Sequence, residues 1–136
     1  MNNNNFVESG DSQTPLTILL VEDDRLTVSL LEYLFARHGF LVRVARDGRE
    51  AQAIIESNET PPNLVLLDLM LPYLDGYELL QLAKKQAAWA QVPMLVLSGK
   101  SQEDDIVRAF KLGASDYVAK PFHPNELIAR IERLVK

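Results

Sequence analysis

The 136-residue chain has no cysteine, so it carries neither a disulfide framework nor a thiolate metal site. Its two histidines, His38 and His123, stand apart from any acid cluster and are read as surface residues. No apolar run approaches the ~20 residues of a membrane-spanning helix, so no membrane contact is expected. The opening Met1-Asn2-Asn3-Asn4-Asn5 lacks the basic start and apolar core of a secretory signal, which makes the expected location cytoplasmic. Positive charge is also in deficit, with 14 Lys and Arg against 19 Asp and Glu and a formal net charge of −5. Duplex binding depends on phosphate neutralisation, and no basic stripe is present. Direct nucleic-acid binding by this chain is therefore not expected.

What remains is chain enough for one domain with a substantial core, expected over residues 16–136. Residues 1–15 are Asn-rich and hold too little apolar surface to fold, so they are expected to form a disordered lead-in.

The most informative stretch is Leu64-Val65-Leu66-Leu67, an unbroken apolar run ending on Asp68 and followed by Pro72 and Gly76. That pattern predicts a strand buried on both faces, with Asp68 delivered to its carboxyl end. Three other runs end comparably. Thr17 to Val21 ends on Glu22-Asp23-Asp24, Pro93 to Leu97 on Ser98-Gly99, and Tyr117 to Ala119 on Lys120-Pro121. Open parallel sheets bind ligands outside the carboxyl ends of their strands, so these polar groups share one candidate site.

Between the runs lie helical patterns. Asp24 can cap a helix with Leu26, Leu30, Leu31, Leu34 and Phe35 on its apolar side, stopped by Gly39. Leu41 to Ala45 reads as a further strand. Asp47 with Glu50, and Asp75 with Glu78, have capping-box spacing, the second pair opening a helix with Leu79, Leu80 and Leu82 on its apolar side. Trp89 is expected at a helix end, partly exposed. Ser101 is expected to cap a helix carrying Ile106, Val107, Phe110 and Leu112 and ended by Gly113. The last helix places Leu127, Ile128, Ile131, Leu134 and Val135 on one face, with Pro124 in its first turn. Alternating strands and helices imply an α/β fold, a parallel sheet covered on both faces. Pattern alone leaves the strand order open.

Val21-Glu22-Asp23-Asp24, Leu66 through Gly76, Val96-Leu97-Ser98-Gly99 and Tyr117 through Phe122 stand in the order and approximate spacing of the receiver domain of two-component response regulators. From about Leu16 to Lys136 the chain resembles that family. The resemblance implies the flavodoxin-like strand order 2-1-3-4-5 with five helices, which puts Asp68 beside Glu22 and Asp23. Three carboxylates about 4–6 Å apart repel by roughly 3–4 kcal/mol per pair at an effective dielectric of 20 and call for a cation. All-oxygen donors favour Mg²⁺ over zinc.

By resemblance, Asp68 is the phosphoacceptor, taking a phosphoryl group from a phosphohistidine on a sensor kinase or phosphotransfer protein. Asp23, Asp68 and the backbone carbonyl of Met70 would bind Mg²⁺, with Glu22 acting through water and Asp24 left as a helix cap. Lys120, set before a cis Pro121, and Ser98 would contact phosphoryl oxygens, and Tyr117 would turn inward as Ser98 moves. Met70 and Lys100 are expected to flank the pocket mouth and slow attack by water. The chain would be a signalling switch that promotes only its own phosphorylation and dephosphorylation, not an enzyme on external substrates.

The last helix resembles receivers of the winged-helix transcription-factor branch, which dimerise through the fourth helix, fifth strand and fifth helix. Asp116 and Arg130 match one interface ion pair. Ile106 stands where a basic partner of Glu126 is expected, and Ser115 replaces a common Asp, so the set is incomplete. The implied output is control of a dimer, an output domain or an effector in transcription regulation. Two other readings are a constitutive interaction module that ignores phosphate and a phosphatase with an Asp nucleophile. The intact Asp23, Asp68, Ser98 and Lys120 set disfavours the first. Met70, where the second would need another acid, disfavours that one.

Overall fold

The computed structural model describes residues 14–136. The expected lead-in thus lies, up to residue 13, outside the described residues. The apolar runs form five strands, β1 (Thr17–Val21), β2 (Leu41–Ala45), β3 (Leu64–Leu67), β4 (Met94–Ser98) and β5 (Asp116–Ala119). They pair in parallel in the order β2-β1-β3-β4-β5. Between and after them run α1 (Arg25–Arg37), α2 (Gly48–Glu56), α3 (Gly76–Lys85), α4 (Glu103–Lys111) and α5 (Pro124–Val135). No helix among the described residues is long and apolar enough to cross a membrane.

Strand side chains alternate between faces, so each strand feeds two cores. Ile18, Leu20, Leu64, Leu66, Leu95 and Leu97 pack with Val28, Leu31 and Phe35 of α1 and Leu127, Ile128 and Ile131 of α5. Leu19, Val21, Val65, Leu67 and Val96 pack with α2, α3 and α4 on the opposite side. Every residue of β3 and β4 is buried, which accounts for their unbroken apolar sequence. Each fully buried Leu contributes about 1.5–3 kcal/mol. The rigid centre of the sheet therefore carries Asp68 and Ser98 at its carboxyl end.

Helix ends follow local chemistry. Asp24 accepts the Thr27 N–H and caps α1, and Gly39 closes it at φ 80°. Asp75 and Glu78 form a complete capping box at α3. At α2 Asp47 accepts the Glu50 N–H, but the Glu50 side chain reaches the Arg46 N–H, so this box is not closed reciprocally. Pro124 occupies the first turn of α5.

Several expected helix faces are corrected. On α1 Leu26 and Leu30 are 82% and 50% exposed, and the unanticipated Val28 is buried in their place. On α4 Val107 and Phe110 face solvent while Ala109 is buried, because only a small residue lets this helix sit close to the sheet. Ser101 does not cap α4. The N-cap position is Gln102, with no side-chain cap bond. Trp89 is 2% exposed, its indole filling the core beneath the irregular turn after α3 rather than lying at the surface. His38 and His123 are exposed, as expected.

Candidate functional site

At the carboxyl edge of the sheet, β1, β3 and β5 bring Glu22, Asp68 and Lys120 together. The Lys120 ammonium donates to Glu22 Oε1 at 2.8 Å and to Asp68 Oδ2 at 3.0 Å. Glu22 and Asp68 are buried, 2% and 7% exposed. Such a pair of acids is tenable only because one cation bridges them. Asp23 is exposed, and its carboxylate completes a group of three with Glu22 and Asp68 whose ligand oxygens lie within 4.8 Å of one another.

Further bonds fix each carboxylate. Glu22 Oε2 accepts the Asp24 N–H at 3.1 Å, and Asp68 Oδ1 accepts the Met70 N–H at 3.1 Å. Burial raises the Glu22 carboxyl above the usual range, although the Lys120 and Asp24 hydrogen bonds pull against it. Burial also opposes the charge on Lys120, but its bonds to Glu22 and Asp68 outweigh that cost and lift the ammonium above the ordinary lysine value. The Lys120–Pro121 peptide bond is cis, as expected.

Ser98, fully buried at the end of β4, accepts the Lys100 N–H at 3.2 Å through its hydroxyl oxygen, which lies beside the Tyr117 hydroxyl. Its carbonyl accepts the Lys120 N–H at 3.0 Å, tying the two strand ends together. Tyr117 donates its hydroxyl to the Lys100 carbonyl. Its ring is thus anchored beside the segment that follows Ser98. Burial, with Tyr77 and Asp105 nearby, pushes the Tyr117 hydroxyl up to about 12.

A cleft of about 430 Å³ opens beside the acids, lined by Asp23, Met70, Tyr77, Lys100 and Arg108 among others. Met70 and Lys100 were anticipated at this mouth. Tyr77 and Arg108 were not, and the guanidinium of Arg108 stacks 3.9 Å above the Tyr77 ring, joining α4 to α3. Nothing in the sequence singled them out, since Tyr77 follows a Gly in the first turn of α3 and Arg108 lies in the last turn of α4.

The expected output residues lie apart from this cluster. Asp116 Oδ2 accepts from Arg130 at 2.9 Å and Arg133 at 3.0 Å, and Arg130 also bonds Glu126 at 3.1 Å. Asp116 and Arg130, anticipated as partners across an interface, are already paired within one chain.

All-oxygen donors, with one buried and one exposed aspartate beside a buried glutamate, suit a hard divalent cation with room for its water. An acidic cleft of this kind at the carboxyl edge of a 2-1-3-4-5 sheet defines a receiver-type signalling domain. The chain belongs to the response regulator receiver domain family, whose model matches residues 18–132.

Over 119 residues, 88% of this chain, it is 40% identical to the alkaline phosphatase synthesis transcriptional regulatory protein PhoP of Bacillus subtilis. It is 36% identical over the same length to the phosphate regulon transcriptional regulatory protein PhoB of Klebsiella pneumoniae. The match covers 48% and 51% of those proteins, so the chain spans about half the length of these curated relatives. Among solved structures it resembles the receiver domain of the sensor histidine kinase PA1611 from Pseudomonas aeruginosa PAO1, which has a magnesium ion coordinated in its active-site cleft. That likeness has a TM-score of 0.81 at 30% identity, covering 90% of this chain and 98% of the other.

Proposed function

We propose that this receiver is a phosphorylation-controlled switch in which Asp68 accepts a phosphoryl group from a phosphohistidine on a sensor kinase or phosphotransfer protein. The observation that carries the reading is the Lys120 bridge to Asp68 and Glu22, with Asp23 alongside. An Asp68 carboxylate oxygen attacks phosphorus as the P–N bond to imidazole breaks, and the imidazole nitrogen takes up a proton. Asp23, Asp68 and the Met70 carbonyl would hold Mg²⁺, with Glu22 reaching it through water. When bound, the ion offsets the negative charge of the incoming phosphoryl group.

Lys120 then exchanges a carboxylate partner for a phosphoryl oxygen. Ser98 donates its hydroxyl proton to another. Hydrogen bonds to charged groups contribute ~1.5–3 kcal/mol each, about 3–6 for the two. Inverting a population from 1:99 to 99:1 takes about 5.5 kcal/mol, so a partner or second copy completes the transition. Tyr117, resting on the Lys100 carbonyl next to Ser98, transmits the change to β5 and α5. There Arg130, Asp116 and Glu126 trade their intrachain pairing for contacts with a second copy, an output domain or an effector in transcription control. The domain comprises residues 16–136, acts in the cytoplasm, and promotes no reaction beyond gain and loss of its own phosphoryl group.

With acetyl phosphate and Mg²⁺, the parent takes up one phosphoryl group and Asp68→Asn takes up none. Equal labelling of the variant refutes the acceptor assignment.

A further inference from the structure

Between Asp68 and α3 the chain makes a turn that its sequence does not favour. Tyr73 has φ 71°, the left-handed region that aromatic residues avoid, and the Leu74 N–H bonds the Pro72 carbonyl at 2.9 Å. A three-residue turn with positive φ at its centre is rare and strained. Something outside the loop must hold it, and the first turn of α2 is in contact with it at three points. The Gly48 N–H donates to the same Pro72 carbonyl at 3.1 Å. Gly48 packs so tightly on the loop that a Cβ there would lie 2.1 Å from the Leu74 carbonyl oxygen. The Arg49 guanidinium stacks 3.9 Å from the Tyr73 ring.

Met70 lies between two pinned carbonyls. Leu69's accepts the Gly76 N–H at 3.0 Å, and Pro72's accepts Gly48. We infer that Gly48, Arg49 and Tyr73 form a clasp, a set of positioning residues through which α2 holds the β3–α3 loop so that the Met70 carbonyl and Asp68 face the same cation. None of the three belongs to the acidic cluster itself. The inference rests on the reading of the acids as a Mg²⁺ site.

Calorimetric Mg²⁺ titration of the intact chain tests it, with circular dichroism confirming the fold of each variant. Gly48→Ala forces the loop or α2 to shift, and Mg²⁺ affinity should fall about 10-fold, as for other groups that orient metal ligands. In acetyl phosphate reactions the half-saturating Mg²⁺ should rise by the same factor while the rate at saturation stays within about 2-fold, a split that general loss of structure does not produce.

A second pair of variants serves if Gly48→Ala fails to fold. Tyr73→Gly accepts φ 71° freely but loses the ring stacked on Arg49, so it should weaken affinity less than Tyr73→Val, which loses the same ring and is β-branched as well. Parental affinity in both Gly48→Ala and Tyr73→Val, or equal loss in Tyr73→Gly and Tyr73→Val, overturns the clasp. A parent that binds no Mg²⁺ overturns the metal-site reading instead and takes the clasp with it.

Discussion

Replacing Lys120 by Met would remove the ammonium shared by Glu22 and Asp68 while keeping most of the stem's packing. Both carboxylates are buried, and the bridging nitrogen lies 2.8 and 3.0 Å from them. Breaking a buried ion pair by deleting one partner costs about 3–5 kcal/mol. The Lys120 side chain is 23% exposed, which places the cost at the lower end, about 3 kcal/mol. At about 3–4 °C per kcal/mol for a chain of this size, the metal-free melting temperature should drop by about 10 °C.

The loss should also depend on pH. Burial already raises the Glu22 carboxyl, and removing Lys120 takes away an opposing hydrogen bond, so the folded-state value rises further. A carboxyl raised on folding favours the native state when protonated. That contribution is complete below the unfolded value of about 4.3 and is lost as pH climbs through the folded value. The deficit of Lys120→Met should therefore widen from pH 5 to pH 8. Mg²⁺ at about 100 times its dissociation constant should restore about 2.7 kcal/mol. Calorimetric melts in EDTA and in Mg²⁺ at both pH values measure all three effects. A variant melting within about 2 °C of the parent in EDTA at pH 8 refutes the claim that the ammonium holds two ionised acids together.

Trp89→Ala should cost about 3–5 kcal/mol in urea unfolding, because the indole is buried; a cost below about 1 would place it at the surface. Leu26→Ser should leave the unfolding midpoint within about 0.5 kcal/mol of the parent, since a side chain 82% exposed has little packing to lose. Sedimentation in Mg²⁺ with and without beryllofluoride should show a heavier species only with the phosphoryl mimic, and a monomer in both conditions removes the dimer from the proposed output.

The strands and the Asp68 neighbourhood were legible because one force dominates there. A strand buried on both faces has no freedom in its pattern, so Leu64 to Leu67 and Met94 to Leu97 announce themselves and their polar ends mark the edge. The helix faces were less legible. Leu26, Leu30 and Leu34, each four apart, are as helical in spacing as Val28, Leu31 and Phe35, three and four apart, and spacing identifies a stripe without saying what covers it. On α4 the side that meets the sheet is marked by Ala109, whose small size carries no hydrophobic signal. Trp89 sits in irregular chain where no period exists to be read. The Asp116 to Arg130 contact shows the same limit in charge, because opposite signs say that two residues can pair but not whether they do so within one molecule. Tyr73 was invisible, since nothing local requests a left-handed tyrosine.

The bond from Lys120 to Glu22 joins residues 98 positions apart, across the full width of β1, β3, β4 and β5. A ribosome must therefore have released nearly the whole domain before the two acids acquire their counter-ion. Only the completed sheet, with β5 in place beside β4, brings Lys120 to the edge where Glu22 and Asp68 stand.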